Sequence, residues 1–186
     1  MLNNKTLVLG LDSSKRSTGA CLIYYSKVDD KDVFELYKKV LIKTKYKKDC
    51  HLFQSELDSY NMLEYFLKDD IKFIDYCVIE GFAFGGTGLT QLSATAAVYQ
   101  LLMAQNNIPV VHIAPKRVKL IIADSGNATK EVVQEKLNNY IINYSSITWP
   151  SLDVSDSAAI AIAGTIVNLY PERFIKNVKK KSTKTK

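Results

Sequence analysis

Only two histidines and three cysteines occur among the 186 residues. That scarcity excludes two classes of protein. A disulfide framework needs a larger, even set of half-cystines than Cys21, Cys50 and Cys77 supply. A zinc site needs about four thiol or imidazole ligands, and Cys50-His51 has only His112 as a further histidine. Cys21 and Cys77 fall within apolar runs and are expected to be buried thiols. No apolar run approaches the roughly 20 residues of a membrane span. The opening Met1-Leu2-Asn3-Asn4-Lys5 leads directly into a strand with no secretory-signal pattern, so a cytoplasmic location, bacterial or within a host cell, is expected. No internal repeat is visible.

Hydrophobic residues make up 47% of the chain, which suits one globular domain with a full core. The net charge of +6 is unevenly placed. Residues 171–186 hold seven basic residues and one acid, so the first 170 residues are neutral. We expect a folded domain over 1–170 and a basic, disordered tail over 171–186. Within the neutral part, Lys38, Lys39, Lys43, Lys45, Lys47 and Lys48 form one basic patch, and Lys116, Arg117 and Lys119 form another. Basic patches beside an acidic site suit a polyanion that must approach carboxylates. A solubilising role is the plainer reading of the tail alone.

Hydrophobic patterning predicts strands over 5–12, 18–25, 33–44, 75–80 and 109–113, and helices over 52–67, 89–106, 115–123, 129–143 and 153–169. Pro115 suits a first helical position, and Thr129 suits an N-cap. Three strands in succession imply an antiparallel meander, and the alternation that follows implies crossover units. The expected fold is α/β, a mixed five-stranded sheet with helices on both faces.

Four carboxylates occupy informative places. Asp12 ends the first apolar strand and Glu80 ends the fourth, so both project from the rim of a sheet. Asp153 and Asp156 lie one turn apart at a helix start and point the same way. Four crowded acids repel one another at a cost of several kcal/mol, and hard divalent cations bound by oxygen remove it. Two such ions about 4 Å apart would support in-line phosphodiester hydrolysis.

In this context the segment Gly10-Leu11-Asp12-Ser13-Ser14-Lys15-Arg16-Ser17-Thr18-Gly19, the pair Ile79-Glu80 and the helix Asp153-Val154-Ser155-Asp156 resemble the motifs of the RuvC family of Holliday junction resolvases, in the RNase H-like superfamily. Ala114-Pro115-Lys116-Arg117-Val118-Lys119 is similar to the family segment that supplies a DNA-contacting lysine, and Lys130 matches a second. The likeness runs from about residue 6 to 169. It implies an RNase H-like fold and catalytic metal ligands at Asp12, Glu80, Asp153 and Asp156. It also implies two Mg²⁺ ions, with Mn²⁺ as a substitute. Lys119 would assist at the phosphate, and Lys15, Arg16, Phe82, Phe84, Lys116, Arg117, Lys119 and Lys130 would contact DNA. The expected substrate is a four-way junction, with other branched DNA besides. Symmetric nicking implies a homodimer, for which the alanine-rich 89–106 helix is a candidate interface.

The chain also departs from that pattern. Bacterial members of the family usually carry an aromatic wedge three residues after the second acid, where this chain has Ala83; Phe82 or Phe84, in a glycine-rich stretch, is expected to replace it. The 26–51 stretch is richer in lysine than usual, and the lysine tail lies outside the pattern. These differences lean toward a phage or mobile-element variant. Lys119 admits a second reading, as a lysine snorkelling at the core edge. Phe84 could fold back into the core instead of stacking on a base, and His112 and Trp149 read as packing residues. A nuclease of the same superfamily processing RNA, and a non-catalytic module binding branched DNA, are the alternatives. An actin-like ATPase needs two lobes, for which 186 residues are too few.

Overall fold

Three strands open the chain, β1 (Thr6–Ser13), β2 (Ser17–Val28) and β3 (Lys31–Lys43), paired antiparallel. A computed structural model describes residues 5–14, 17–44, 54–81 and 89–175. Lys15, Arg16, Phe82, Phe84, the Cys50-His51 pair and tail residues 176–186 lie outside these. Asp29 and Asp30 both adopt left-handed backbone, which closes the tight β2–β3 hairpin. Helix α1 (Gln54–Leu67) leads to β4 (Tyr76–Glu80), and α2 (Leu89–Gln105) leads to β5 (Val110–Ile113). Both of these strands run parallel to β1. The sheet order is β3-β2-β1-β4-β5. The chain closes with α3 (Pro115–Ala123), α4 (Lys130–Lys136), α5 (Leu152–Leu169) and the short α6 (Glu172–Ile175). Meander, mixed sheet and helices on both faces are as the patterning predicts.

Strand alternation sorts the core into two halves. Leu7, Leu9, Leu11, Cys77 and Ile79 face α1 and α2 together with Tyr99, Leu102 and Met103. Val8, Cys21, Ile23 and Val78 face the other way, onto α3, α4 and the apolar side of α5. Cys21 and Cys77 are both buried thiols. Among the described residues, α5 is the one helix with the length and composition to cross a membrane, yet it is 61% buried inside the domain.

Three expectations need correction. The helix expected to reach Asn143 ends at Lys136 and tightens to a 3₁₀ turn at Leu137–Asn139. The next residues serve the sheet instead: Ile141 bridges Phe34, and the Asn143 side chain bonds both the N–H and the C=O of Leu36. The last long helix, expected to start at Asp153, starts at Leu152 and is capped by Ser151, whose hydroxyl accepts from the Val154 N–H. The region after Pro171 is not wholly without structure, since Glu172–Ile175 is helical and Phe174 lies under the Arg117 guanidinium.

Candidate metal and nucleic-acid site

Parity fixes where the first two acids point. Asp12 stands four residues after Val8 and Glu80 two after Val78, so both project from the α5 side of the sheet. The parallel pairing Leu11↔Ile79 brings them side by side at the strand ends. Glycines then admit the helix. A methyl group on Gly10 would overlap the Ser157 carbonyl and Ala161, and one on Gly19 would overlap the Asp153 carbonyl. With neither present, the start of α5 settles onto the ladder at the Asp12↔Gly19 pair, and Asp153 and Asp156 arrive beside Asp12.

A lysine stands among these acids. The Lys130 ammonium lies 2.7 Å from Asp156 Oδ2, 3.0 Å from Asp153 Oδ1 and 3.4 Å from Asp12 Oδ2. Lys130 is the first residue of α4, whose start is fixed by the Thr129 hydroxyl accepting from the Val132 N–H. The other Asp153 oxygen, Oδ2, accepts a 2.6 Å hydrogen bond from the Ser17 hydroxyl. Ser17 is itself held by a turn with Ser14.

The electrostatics record the crowding. Burial pushes Asp12 up to about 6 against the pull of Lys130, with Asp156 and Asp153 adding to the rise. Burial, then Asp12 and Asp156, push Glu80 up to about 7. Asp156 is also raised by burial in spite of Lys130. Asp153 is the exception: burial would raise it, but the Ser17 and Lys130 hydrogen bonds prevail and it sits below its usual value.

The donor set suits a hard divalent cation. Every ligand is a carboxylate oxygen, the preference of Mg²⁺ and Ca²⁺, and two of the carboxyls are too crowded to ionise readily without added positive charge. As they stand, no three acids among the described residues close on one point tightly enough to hold an ion. The Lys130 ammonium lies among Asp12, Asp153 and Asp156 and supplies the positive charge between them.

Of the residues expected from sequence, the fold gathers Asp12, Glu80, Asp153, Asp156 and Lys130. Lys119, expected as the catalytic lysine, lies on α3, close enough for its charge to lower Glu80 and Asp156. Among the described residues, the cation hydrogen-bonded to the acids is Lys130. Lys116 and Arg117 are exposed on α3, with Arg117 stacked on Phe174. His112 is exposed on the edge strand β5, and Trp149 packs on Tyr144. Sequence reasoning missed Ser17 as a partner of Asp153. The one available signal was strand parity, since Ser17, Gly19 and Cys21 share the α5 face.

A family model described as crossover junction endodeoxyribonuclease RuvC matches residues 8–164. The chain belongs to the RuvC family. Its RuvC relative from Thermotoga petrophila is 36% identical over 89 residues, covering 47% of this chain and 53% of that protein. The matched stretch thus spans about half the length of that relative. RuvC from Christiangramia forsetii is 26% identical over 169 residues, covering 87% of this chain and 80% of its own. Among solved structures, Thermus thermophilus RuvC superposes with a TM-score of 0.73 at 17% identity, covering 89% of this chain and 97% of that one. Its complex with a Holliday junction substrate gives 0.71 at 16% identity, covering 88% and 94%. Fowlpox virus resolvase with Holliday junction DNA gives 0.54 at 10%, covering 88% and 99%. At these identities the structural likeness is one of fold.

Proposed function

We propose that this RuvC-family chain is a metal-dependent endonuclease that cuts four-way DNA junctions, and other branched DNA, by phosphodiester hydrolysis. The observation that carries this reading is the convergence of Asp12, Glu80, Asp153 and Asp156 on one rim of the sheet, three of them around a single cation. Asp12, Glu80, Asp153 and Asp156 would hold two Mg²⁺, or Mn²⁺ in their place. The bound ions would activate water and stabilise the leaving oxygen.

The chain's own residues supply the rest. Ser17 fixes the orientation of Asp153 through the 2.6 Å hydrogen bond. Gly10 and Gly19 set the depth of α5, and with it the spacing between Asp12 and the two helix acids. Lys119, beside Glu80 and Asp156, offers positive charge to a phosphate at the rim. Lys116 and Arg117 extend that charge along α3, and Lys15, Arg16, Phe82 and Phe84 belong to the two segments that follow Asp12 and Glu80 in sequence. Contacts of this kind to phosphate fix register without reading base sequence.

Two symmetric nicks need two sites, so the working form is a homodimer. The outer face of α2 carries exposed Ala97, Leu101 and Ala104 at helical spacing, two small residues that would admit a second copy closely and one apolar side chain for it to cover. The protein would act on DNA inside the cell. A gel assay on four-way, three-way and linear duplex DNA tests the reading. Paired nicks in the four-way junction are expected with Mg²⁺ or Mn²⁺, with three-way DNA cut and linear duplex spared. Ca²⁺ should not support cutting. Cleavage without a divalent ion, or equal cutting of linear duplex, would overturn it.

A further inference from the structure

We propose that Lys130 is a resident counter-cation of the acid cluster, one that holds Asp12, Asp153 and Asp156 together in the metal-free protein and that an incoming divalent ion must displace. The inference rests on the metal reading of this site and goes beyond it in assigning the order of events and a residue that sets metal affinity. An isolated ion pair on a surface fluctuates and contributes little. Here one ammonium meets three carboxylates at 2.7, 3.0 and 3.4 Å, from side chains only 17%, 30% and 12% exposed. These acids come from two separate elements, β1 and α5, and the lysine comes from a third, α4. The contact is therefore a tertiary tie and not a local one.

The position of Lys130 gives independent support. It is the first residue of α4, where the helix dipole disfavours a cation and favours an acid such as its neighbour Glu131. Helix stability does not account for a lysine there, whereas the carboxylates it reaches do. One positive charge facing four acids also leaves the cluster under-neutralised, so Asp12 and Glu80 remain crowded. A divalent ion supplies more charge at the same point. The ammonium and the ion compete for the same oxygens and repel each other, so both cannot occupy the place where the three acids converge. Once released, the flexible lysine stem leaves its charge at the rim, available to the phosphate of an arriving strand. Metal loading would thereby prepare the site for DNA.

Lys130→Met and Lys130→Arg separate this role from a merely structural one. Mn²⁺ binding to each full-length protein is measured by titration calorimetry, and unfolding temperature is measured with and without Mn²⁺. The metal-free Lys130→Met protein should melt lower than wild type, by about 4 °C or more. It should also bind Mn²⁺ at least about tenfold more tightly, because the competitor is gone. Lys130→Arg should retain the metal-free melting temperature. In wild type, NMR should show a slowly exchanging Lys130 ammonium in the metal-free protein, lost on adding Mg²⁺; this arm needs no variant to fold. Mn²⁺ binding at unchanged or weaker affinity in Lys130→Met, or an ammonium signal that survives Mg²⁺, would overturn the exchange while leaving the metal reading intact. No Mn²⁺ binding by any of the three proteins would overturn both.

Discussion

Gly19 lies opposite Asp12 across the β1–β2 ladder and directly beneath the Asp153 carbonyl. One residue without a side chain thus sets the distance between a strand acid and a helix acid. A Cβ there would overlap the Asp153 carbonyl and press on the Val154 N–H, both backbone atoms that cannot rotate aside. Gly19→Ala should lift the start of α5, destabilise the fold by about 1–3 kcal/mol and lower cleavage at least tenfold. Gly81→Ala is the control, because its Cβ would meet the Ile113 carbonyl at 3.5 Å, an ordinary contact. Thermal melting and junction cleavage of the two variants check this, and equal effects would contradict it.

Replacing any one of the four acids by its amide should abolish cleavage and preserve junction binding, since the acids are expected to hold metal and not DNA. Asp12→Asn should not melt below the metal-free wild type, because it removes a buried carboxyl whose ionisation is already costly. A gel-shift and cleavage series measures the first point and differential scanning calorimetry the second. Undiminished cutting by Asp12→Asn would remove that residue from the site.

The metal-free protein should lose stability as pH rises from about 4 to 7. Asp12 moves from 3.8 in the open chain to about 6 in the fold, and Glu80 from 4.5 to about 7. Within that window the folded protein binds more protons than the unfolded chain, so raising the pH favours unfolding. For Asp12 alone the effect is on the order of 3 kcal/mol. The two acids influence each other, so their effects do not add. Asp153, held below its usual value, works in the opposite sense at lower pH. Melting temperatures at pH 5 and 7.5 test this. The expected fall should shrink under saturating Mg²⁺, and no fall in the metal-free protein would refute the argument.

Ser17→Ala removes the hydrogen bond that orients Asp153 and should lower the cleavage rate about tenfold, with little change in junction affinity. Ser17→Thr keeps the hydroxyl and should restore most of the rate. Single-turnover kinetics separate rate from binding. Failure of threonine to rescue a slow alanine variant would point to packing instead.

Deleting residues 176–186 removes six lysines. Affinity for all DNA should fall and its dependence on salt should flatten, because each phosphate contact releases counterions. Preference for a junction over duplex should survive. Binding isotherms across a salt series measure the slope, and an unchanged slope would show that the tail does not touch DNA.

The sequence by itself determined the strand and helix order, the mixed sheet and the identity of the four acids. These are carried by local signals: the unbroken apolar run Leu7–Leu11, apolar periodicity in the closing helix, and acids where apolar runs stop. It also held the face on which Asp12 and Glu80 project, since parity from Val8 and Val78 is a property of the chain. Only the tertiary structure decided which cation meets the acids. Lys119 and Lys130 are both lysines in helices, and although Lys130 stands at an unfavourable helix start, nothing local says which carboxylates it reaches. It was the packing of α4 against α5 that carried Lys130 into contact with Asp12, Asp153 and Asp156. The early end of α4 was likewise decided at a distance, because Ile141 and Asn143 found backbone partners on β3. The Ser17–Asp153 bond joins residues 136 positions apart. It exists because two glycines let a helix lie directly on the sheet, and that close approach is visible only once the chain has folded.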